Sequence, residues 1–317
     1  MKEKVLAVIN TLTEEQVDAL KQLCEQSGYG FVLANNREEA KEHLEDATII
    51  YGGDPWLISN APNLKWFHSL SAGVNAYMPV IKEETILTNS AGAFGLSISE
   101  HIIMVILMML RRMPEYQRRI AQHSWRKGLD QESIYGKRIA VVGTGDIGSH
   151  FARRVQAFEP EKVIGVSRSG KTKPFFDETY PISEIDTLLP ETDILVSCVP
   201  ETAETIGYLN RERLLKLPDS AYLVNVGRGS AVVEEDMIEL LKNGKLAGAA
   251  LDVFCEEPLP KDSPFYELDN LIITPHVSGN LTIDYTKETN FNMFYDNLRH
   301  YINGEELEHV VNKKLGY

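Results

Sequence analysis

Three glycines between an apolar run and a helix-forming segment constrain this chain more than any other feature. Ile139-Ala140-Val141-Val142 reads as a buried parallel strand, Ser149 to Phe158 has helical composition, and Gly143, Gly145 and Gly148 lie between them. A second apolar strand, Lys162-Val163-Ile164-Gly165-Val166, follows at βαβ spacing. In such a turn Gly143 lets the backbone reverse tightly. Gly145 lets a pyrophosphate approach the main chain, and Gly148 lets the helix pack close to the strand. The N–H groups that open the helix, at Asp146 and Ile147, then face the phosphates together with the positive end of the helix dipole. A glycine triplet alone is an ordinary βα turn. With strand, helix and second strand all in place, a dinucleotide-binding turn is the better reading.

At 317 residues the chain is long enough for two domains with separate cores. The net charge of −14, with no Lys/Arg-rich run, argues against a nucleic-acid groove or an anionic membrane surface as partner. Cys24, Cys198 and Cys255 are scattered and form no CxxC pair, which points to a reducing, cytoplasmic compartment. Met1-Lys2-Glu3-Lys4 leads straight into a strand and does not read as a signal peptide. Ile102 to Leu110 is strongly apolar but half the length of a membrane helix, so it is expected to be buried between domains or subunits. His, Cys and Asp nowhere cluster at metal-ligand spacing, so no metal is expected.

Strand and helix alternate through the first hundred residues. Val5–Ile9, Phe31–Leu33, Thr48–Tyr51 and Leu64–Phe67 read as strands, and Thr13 caps a helix bearing Val17, Leu20 and Leu23-Cys24 on one face. A helix from Ser99 to about Arg112 leads into a second unit, with strands near Val141, Val163, Leu195, Leu223, Ala249 and Ile272. These are short apolar runs without alternation, as a parallel sheet covered on both faces requires. A helix over about Asn290 to Leu298 is expected to carry the chain back to the first unit. The division predicted is 1–98 with 289–317 returning to it, and 99–288.

Three later segments place polar groups at carboxyl ends of predicted strands, where parallel α/β sheets hold their ligand crevice. They are Val224-Asn225-Val226-Gly227-Arg228-Gly229, Asp252-Val253-Phe254-Cys255-Glu256-Glu257-Pro258 and Thr274-Pro275-His276-Val277-Ser278-Gly279. Arg228 can fork onto the carboxylate and carbonyl of a 2-oxo acid. His276 can donate a proton to the carbonyl oxygen as hydride arrives, and Glu257 can orient the imidazole and favour its charged form. Singly, each has a bland reading: a packed histidine, an arginine on a main-chain carbonyl, a solvated glutamate. Together, downstream of a dinucleotide turn, they favour catalysis.

These motifs, with Ser71-Ala72-Gly73-Val74-Asn75, make the chain resemble the D-isomer-specific 2-hydroxyacid dehydrogenases along nearly its whole length. The resemblance implies an α/β fold with a Rossmann-type doubly wound cofactor domain plus a flavodoxin-like substrate domain. It implies catalytic Arg228, Glu257 and His276, and main-chain N–H groups at Ala72 and Gly73 on the substrate carboxylate. It also implies Asp252 near the nicotinamide carboxamide, and Val199, Pro200, Thr205, Val226, His276 and Gly279 lining the cofactor cleft. A homodimer joined through the cofactor domains is implied as well, which fits the apolar Ile102–Leu110 helix and Trp125. Asn75 stands where the family often has Asp, and Gly227 where it often has Ala.

The second strand of the dinucleotide unit departs in a more telling way. An NAD site wants Asp or Glu there to hold the ribose 2′-hydroxyl. This strand instead runs into Ser167-Arg168-Ser169-Gly170-Lys171, which suits a 2′-phosphate. NADP is therefore the expected cofactor, as in the NADPH-using glyoxylate and hydroxypyruvate reductase branch. NAD stays usable if Arg168 only stacks on adenine. The expected activity is hydride transfer between NADPH and a small 2-oxo acid such as glyoxylate or hydroxypyruvate. The rivals are an NAD-dependent dehydrogenase of a bulkier or phosphorylated acid, and a non-catalytic dinucleotide sensor.

Overall fold

The computed structural model describes residues 3–316. Its contacts divide the chain into two units, Met1–Phe94 with Leu281–Tyr317, and Gly95–Asn280.

The first unit is built on five parallel strands: β1 (Lys4–Val8), β2 (Gly30–Ala34), β3 (Ile49–Gly52), β4 (Trp66–Ser69) and β5 (Ile86–Thr88), in the order β2-β1-β3-β4-β5. That is the flavodoxin-like order, as the resemblance implied. Successive strand residues point to opposite faces, so each strand feeds two cores. Leu6, Ile50, Phe67 and Leu87 line one core, and Val5, Ala7, Ile49, Tyr51 and Trp66 the other. The helix Glu14–Gln26 starts at the Thr13 cap foreseen in the sequence, and the cap is reciprocal: Gln16 N donates to Thr13 Oγ1 and Thr13 N to Gln16 Oε1. Leu20 and Cys24, one turn apart, are its buried residues. The last helix, Asp284–Asn303, is longer at both ends than its apolar stretch suggested. Phe294 stacks on Tyr51 at 4.2 Å, and the Tyr51 hydroxyl donates to Asn290 at 2.5 Å.

The second unit carries seven parallel strands: β6 (Arg138–Val142), β7 (Lys162–Ser167), β8 (Glu178–Pro181), β9 (Ile194–Ser197), β10 (Tyr222–Asn225), β11 (Gly248–Leu251) and β12 (Leu271–Ile273). Their order, β12-β11-β10-β9-β6-β7-β8, is doubly wound. The chain moves outward from β6 to β8, then returns to β9 and moves outward on the other side. The switch point between β6 and β9 is where such sheets open a ligand crevice at the strands' carboxyl ends. The edge strand β8 was not foreseen, because Glu-Thr-Tyr-Pro is polar and only partly buried. The apolar helix spans Gly95–Leu110, four residues earlier at its start than its composition suggested. It packs on the helix Asp146–Val155 and keeps Met104 half exposed. No helix among the described residues is long and apolar enough to cross a membrane.

Candidate active site

The glycine turn leaves β6 at the switch point. Gly143 has φ +103°, a conformation that favours glycine, and a Cβ there would stand 2.7 Å from the Cys198 carbonyl oxygen. A Cβ on Gly148 would overlap the Gly143 carbonyl oxygen and approach Val141 at 3.2 Å, so helix and strand touch through this glycine. Gly145 differs. It is the N-cap of the helix Asp146–Val155, caps it with no side chain, and a Cβ there would meet nothing within 4 Å. The protein itself leaves room at this one position, beside the opening N–H groups of Asp146 and Ile147.

At the end of β7, Ser167 Oγ accepts from Gly170 N at 3.1 Å, and the Thr179 hydroxyl donates to the Gly170 carbonyl at 3.0 Å. These bonds shape the turn that carries Arg168 and Ser169. No acid ends the strand. The Glu204 carboxyl is held below its usual range by the Thr202 hydroxyl, by backbone and by the charge of Arg168. Glu204 sits in the 200–205 loop, closed by Thr205, whose hydroxyl donates to the Pro200 carbonyl at 2.7 Å and accepts from Thr202 N at 2.8 Å. Val199 and Val226 are buried, with Val226 N donating to Ser197 O at 3.0 Å.

Arg228 follows β10. Buried Asn225 ends that strand and builds the loop: its amide donates to the Arg228 carbonyl at 2.8 Å, and its oxygen accepts from Gly227 N at 3.2 Å. The Arg228 guanidinium donates to the Gly227 carbonyl at 2.7 Å. Burial lowers its pKa, against the opposing charges of Glu201 and Glu257.

Asp252 and His276 follow β11 and β12. Asp252 is buried, and its carboxylate gathers the 274–278 turn. One oxygen accepts from the Thr274 hydroxyl at 2.6 Å and Val277 N at 2.9 Å, the other from the Ser278 hydroxyl at 2.5 Å and Ser278 N at 3.0 Å. His276 N donates to the Asp252 carbonyl at 2.8 Å, and His276 sits at φ +52° in the left-handed region. A non-glycine residue held there reflects a turn fixed by its neighbours. The imidazole Nδ1 lies 2.7 Å from Glu257 Oε2, while Glu257 Oε1 accepts from Phe254 N at 2.9 Å. One carboxylate thus ties the ring to the backbone and leaves Nε2 as the working nitrogen. Gly279 follows this turn. His101, on the apolar helix, reaches the Thr274 hydroxyl at 3.3 Å. Burial depresses its pKa, opposed by Asp252. Because the Thr274 hydrogen already points at Asp252, His101 Nε2 is the donor.

The second unit therefore brings the glycine turn, Arg228, Asp252, Glu257 and His276 to the carboxyl ends of one sheet. Asn225, Thr274, Ser278 and His101 support them and were not singled out in the sequence. A buried Asn or Thr at a strand end was the available signal. In the first unit, Ala72 and Gly73 lie in the loop after β4. The Asn89 amide donates to the Ala72 carbonyl and the Ser71 hydroxyl to the Gly73 carbonyl, both at 2.8 Å. Among the described residues no group of three or more His, Cys, Asp or Glu could hold a metal ion.

A doubly wound sheet with this acid–arginine–histidine set defines a class, and comparison with known proteins supports it. Residues 103–278 match the model for the NAD-binding domain of D-isomer specific 2-hydroxyacid dehydrogenases, and the chain belongs to that family. The glyoxylate/hydroxypyruvate reductase B of Pectobacterium carotovorum is 31% identical over 273 residues, 83% of this chain and 83% of that protein. The glyoxylate reductase of Thermofilum pendens is 32% identical over 270 residues, 83% of this chain and 79% of that one. Among solved structures, the NADPH-dependent glyoxylate/hydroxypyruvate reductase of Sinorhizobium meliloti, in complex with NADP and sulfate, is 30% identical. It superposes with a TM-score of 0.84 over 100% of both chains.

Proposed function

We propose that this protein is an oxidoreductase that moves hydride between NADP(H) and a small 2-oxo acid such as glyoxylate or hydroxypyruvate. The observation that carries this reading is the imidazole of His276, tied by Nδ1 to Glu257 on a turn pinned by Asp252, in the same sheet end as Arg228. NADPH, when bound, supplies the hydride. The open position at Gly145 fits a pyrophosphate, with the N–H groups of Asp146 and Ile147 as donors and Gly143 and Gly148 shaping the turn. Ser167, Arg168 and Ser169 are proposed to hold the 2′-phosphate. NAD stays usable if Arg168 only stacks on adenine. Val199, Pro200, Thr205, Val226, Asp252 and Gly279 are proposed to border the nicotinamide end.

Arg228 forks onto the substrate carboxylate and carbonyl, which fixes the acid and draws electron density from the carbon that receives hydride. Ala72 and Gly73, in the first unit, are proposed as substrate-binding residues through their main-chain N–H groups. His276 Nε2 delivers its proton to the carbonyl oxygen as the alkoxide forms, and takes it back when the hydroxy acid is oxidised. Glu257 keeps the ring in one orientation and stabilises the imidazolium.

A homodimer is part of the proposal, supported by the exposed side chains of Trp125, Ile120 and Tyr135 in the second unit. So is a cytoplasmic location, supported by three unpaired cysteines.

The test is His276→Ala. A positioned acid is worth about 10²- to 10⁴-fold, so kcat should fall by that factor while NADPH affinity, read by cofactor fluorescence, holds. A variant with near wild-type kcat would remove His276 from the reaction.

A further inference from the structure

The loop after β4 carries main-chain donors, and three hydrogen bonds decide which way they face. In a trans peptide the N–H points opposite to the carbonyl of the preceding residue, so whatever holds that carbonyl also aims the N–H. The peptides from Ser71 to Val74 are trans. The Ser71 carbonyl accepts from Ser90 N at 3.2 Å and from the Ser69 hydroxyl at 3.2 Å, which aims the Ala72 N–H. The Ala72 carbonyl accepts from the Asn89 amide at 2.8 Å, which aims the Gly73 N–H. The Gly73 carbonyl accepts from the Ser71 hydroxyl at 2.8 Å, which aims the Val74 N–H. Among the described residues none of these three N–H groups has an acceptor in the protein. Ala72 and Gly73 are half-buried, and the Val74 side chain anchors the far end of the row in the core. Consecutive main-chain N–H groups left without acceptors suit an anion.

Of the side chains that hold these carbonyls, among the described residues, only Asn89 comes from another strand end, the one that follows β5. Asn89 is buried and is itself fixed. Its N donates to the His309 carbonyl at 3.2 Å, and its Oδ1 accepts from Ala91 N at 3.3 Å. Its amide therefore has one orientation, with the NH2 group on Ala72. We propose that Asn89 is a positioning residue for the substrate: by holding the Ala72 carbonyl it keeps the Gly73 N–H turned to the carboxylate, in a donor row that extends to Val74. The inference rests on the reading of Ala72 and Gly73 as substrate-binding residues. A 2-oxo acid keeps its carboxylate charge while hydride adds to the neighbouring carbon. Donors to that carboxylate act alike on bound substrate and transition state, so disturbing them raises KM and spares kcat.

The experiment measures reduction of hydroxypyruvate at saturating NADPH, together with NADPH affinity and thermal unfolding, in the wild type and three variants. Asn89→Ala removes the side chain. Asn89→Asp keeps an acceptor for Ala91 N and loses the donor to Ala72. Thr88→Val is the structural control: it takes the acceptor from buried Trp66 Nε1, at 2.8 Å, and touches none of the three loop peptides. Losing one hydrogen bond to a charged group is worth about tenfold or more, so KM should rise at least about tenfold in both Asn89 variants, with kcat within about twofold. The Ki of oxamate, an unreactive analogue of the acid, should rise by the same factor, and NADPH affinity should hold. Thr88→Val should melt earlier with KM unchanged. An unchanged KM in both Asn89 variants overturns the proposal. So does a fall in kcat as large as the rise in KM, or an equal rise of KM in Thr88→Val, since Asn89 would then only support the fold. A wild type that reduces neither hydroxypyruvate nor glyoxylate with either cofactor would instead overturn the functional reading, and this proposal with it.

Discussion

The three glycines of the turn differ in what surrounds them, and that difference can be measured. Gly145 has φ −74° and ψ −154°, which an alanine can adopt, and its Cβ would meet nothing within 4 Å. Gly145→Ala should therefore leave the free protein as stable as the wild type, or raise stability by up to ~1 kcal/mol through the unfolded chain. The added methyl stands where a pyrophosphate must approach the N–H groups of Asp146 and Ile147. Losing one charge-assisted hydrogen bond there costs ~1.5–3 kcal/mol, so NADPH affinity should fall about ten- to a hundredfold. Gly148→Ala should do the reverse. Its Cβ overlaps the Gly143 carbonyl and crowds Val141, so helix and strand must separate, at a cost of about 1–3 kcal/mol in stability. Thermal unfolding without cofactor, paired with a fluorescence titration of NADPH, reads both quantities. If Gly145→Ala melted early like Gly148→Ala, or bound NADPH like the wild type, the assignment of the open position to the pyrophosphate would fall.

Two further predictions concern the cofactor turn and the core of the first unit. Ser167→Asp with Arg168→Ala introduces a carboxylate that accepts from a 2′-hydroxyl and repels a 2′-phosphate, so the NADPH:NADH ratio of kcat/KM should drop at least about tenfold; an unchanged ratio would show that this turn does not read the ribose. His68 is fully buried, with Nδ1 at 2.7 Å from the Thr88 hydroxyl and Nε2 at 3.3 Å from the Ser90 hydroxyl. Burial pushes its pKa down to about 3. The folded chain keeps this ring neutral, while the unfolded chain takes a proton below about pH 6.5. Its contribution is intact above that pH and is lost progressively as pH falls towards about 3, amounting to roughly 2 kcal/mol at pH 5. Urea unfolding of His68→Gln at pH 7 and pH 5 should show a smaller acid loss than the wild type, and equal losses would contradict the buried neutral ring.

The residues that were legible in the sequence are those that interrupt apolar runs. Gly143 directly ends an apolar run, Asp252 follows Gly248-Ala249-Ala250-Leu251, and Arg228 and His276 come shortly after Leu223-Val224 and Leu271–Ile273; parallel strands place such breaks at one edge of the sheet. The capping box at Thr13 was legible because its chemistry is local. What was not legible depends on pairing between distant segments. Nothing in the sequence joins Asp252 to the 274–278 turn, whose Thr274, Val277 and Ser278 donate to its carboxylate from more than twenty residues away. Nor does anything in it join Glu201 to Ser230, whose hydroxyl its carboxylate accepts across twenty-nine positions. The strand β8 escaped because an edge strand with polar residues carries no apolar run. The helices Gly95–Leu110 and Asp284–Asn303 extend past their apolar cores because polar turns are stabilised by the helix they continue.

The most direct test of the account is the initial rate of absorbance loss at the nicotinamide band, with NADPH and with NADH, against glyoxylate and hydroxypyruvate. The account predicts oxidation of NADPH by at least one of these acids, with kcat/KM at least about tenfold higher than with NADH, as a 2′-phosphate contact of ~1.5–3 kcal/mol requires. No oxidation by either acid, or a preference for NADH, would contradict it.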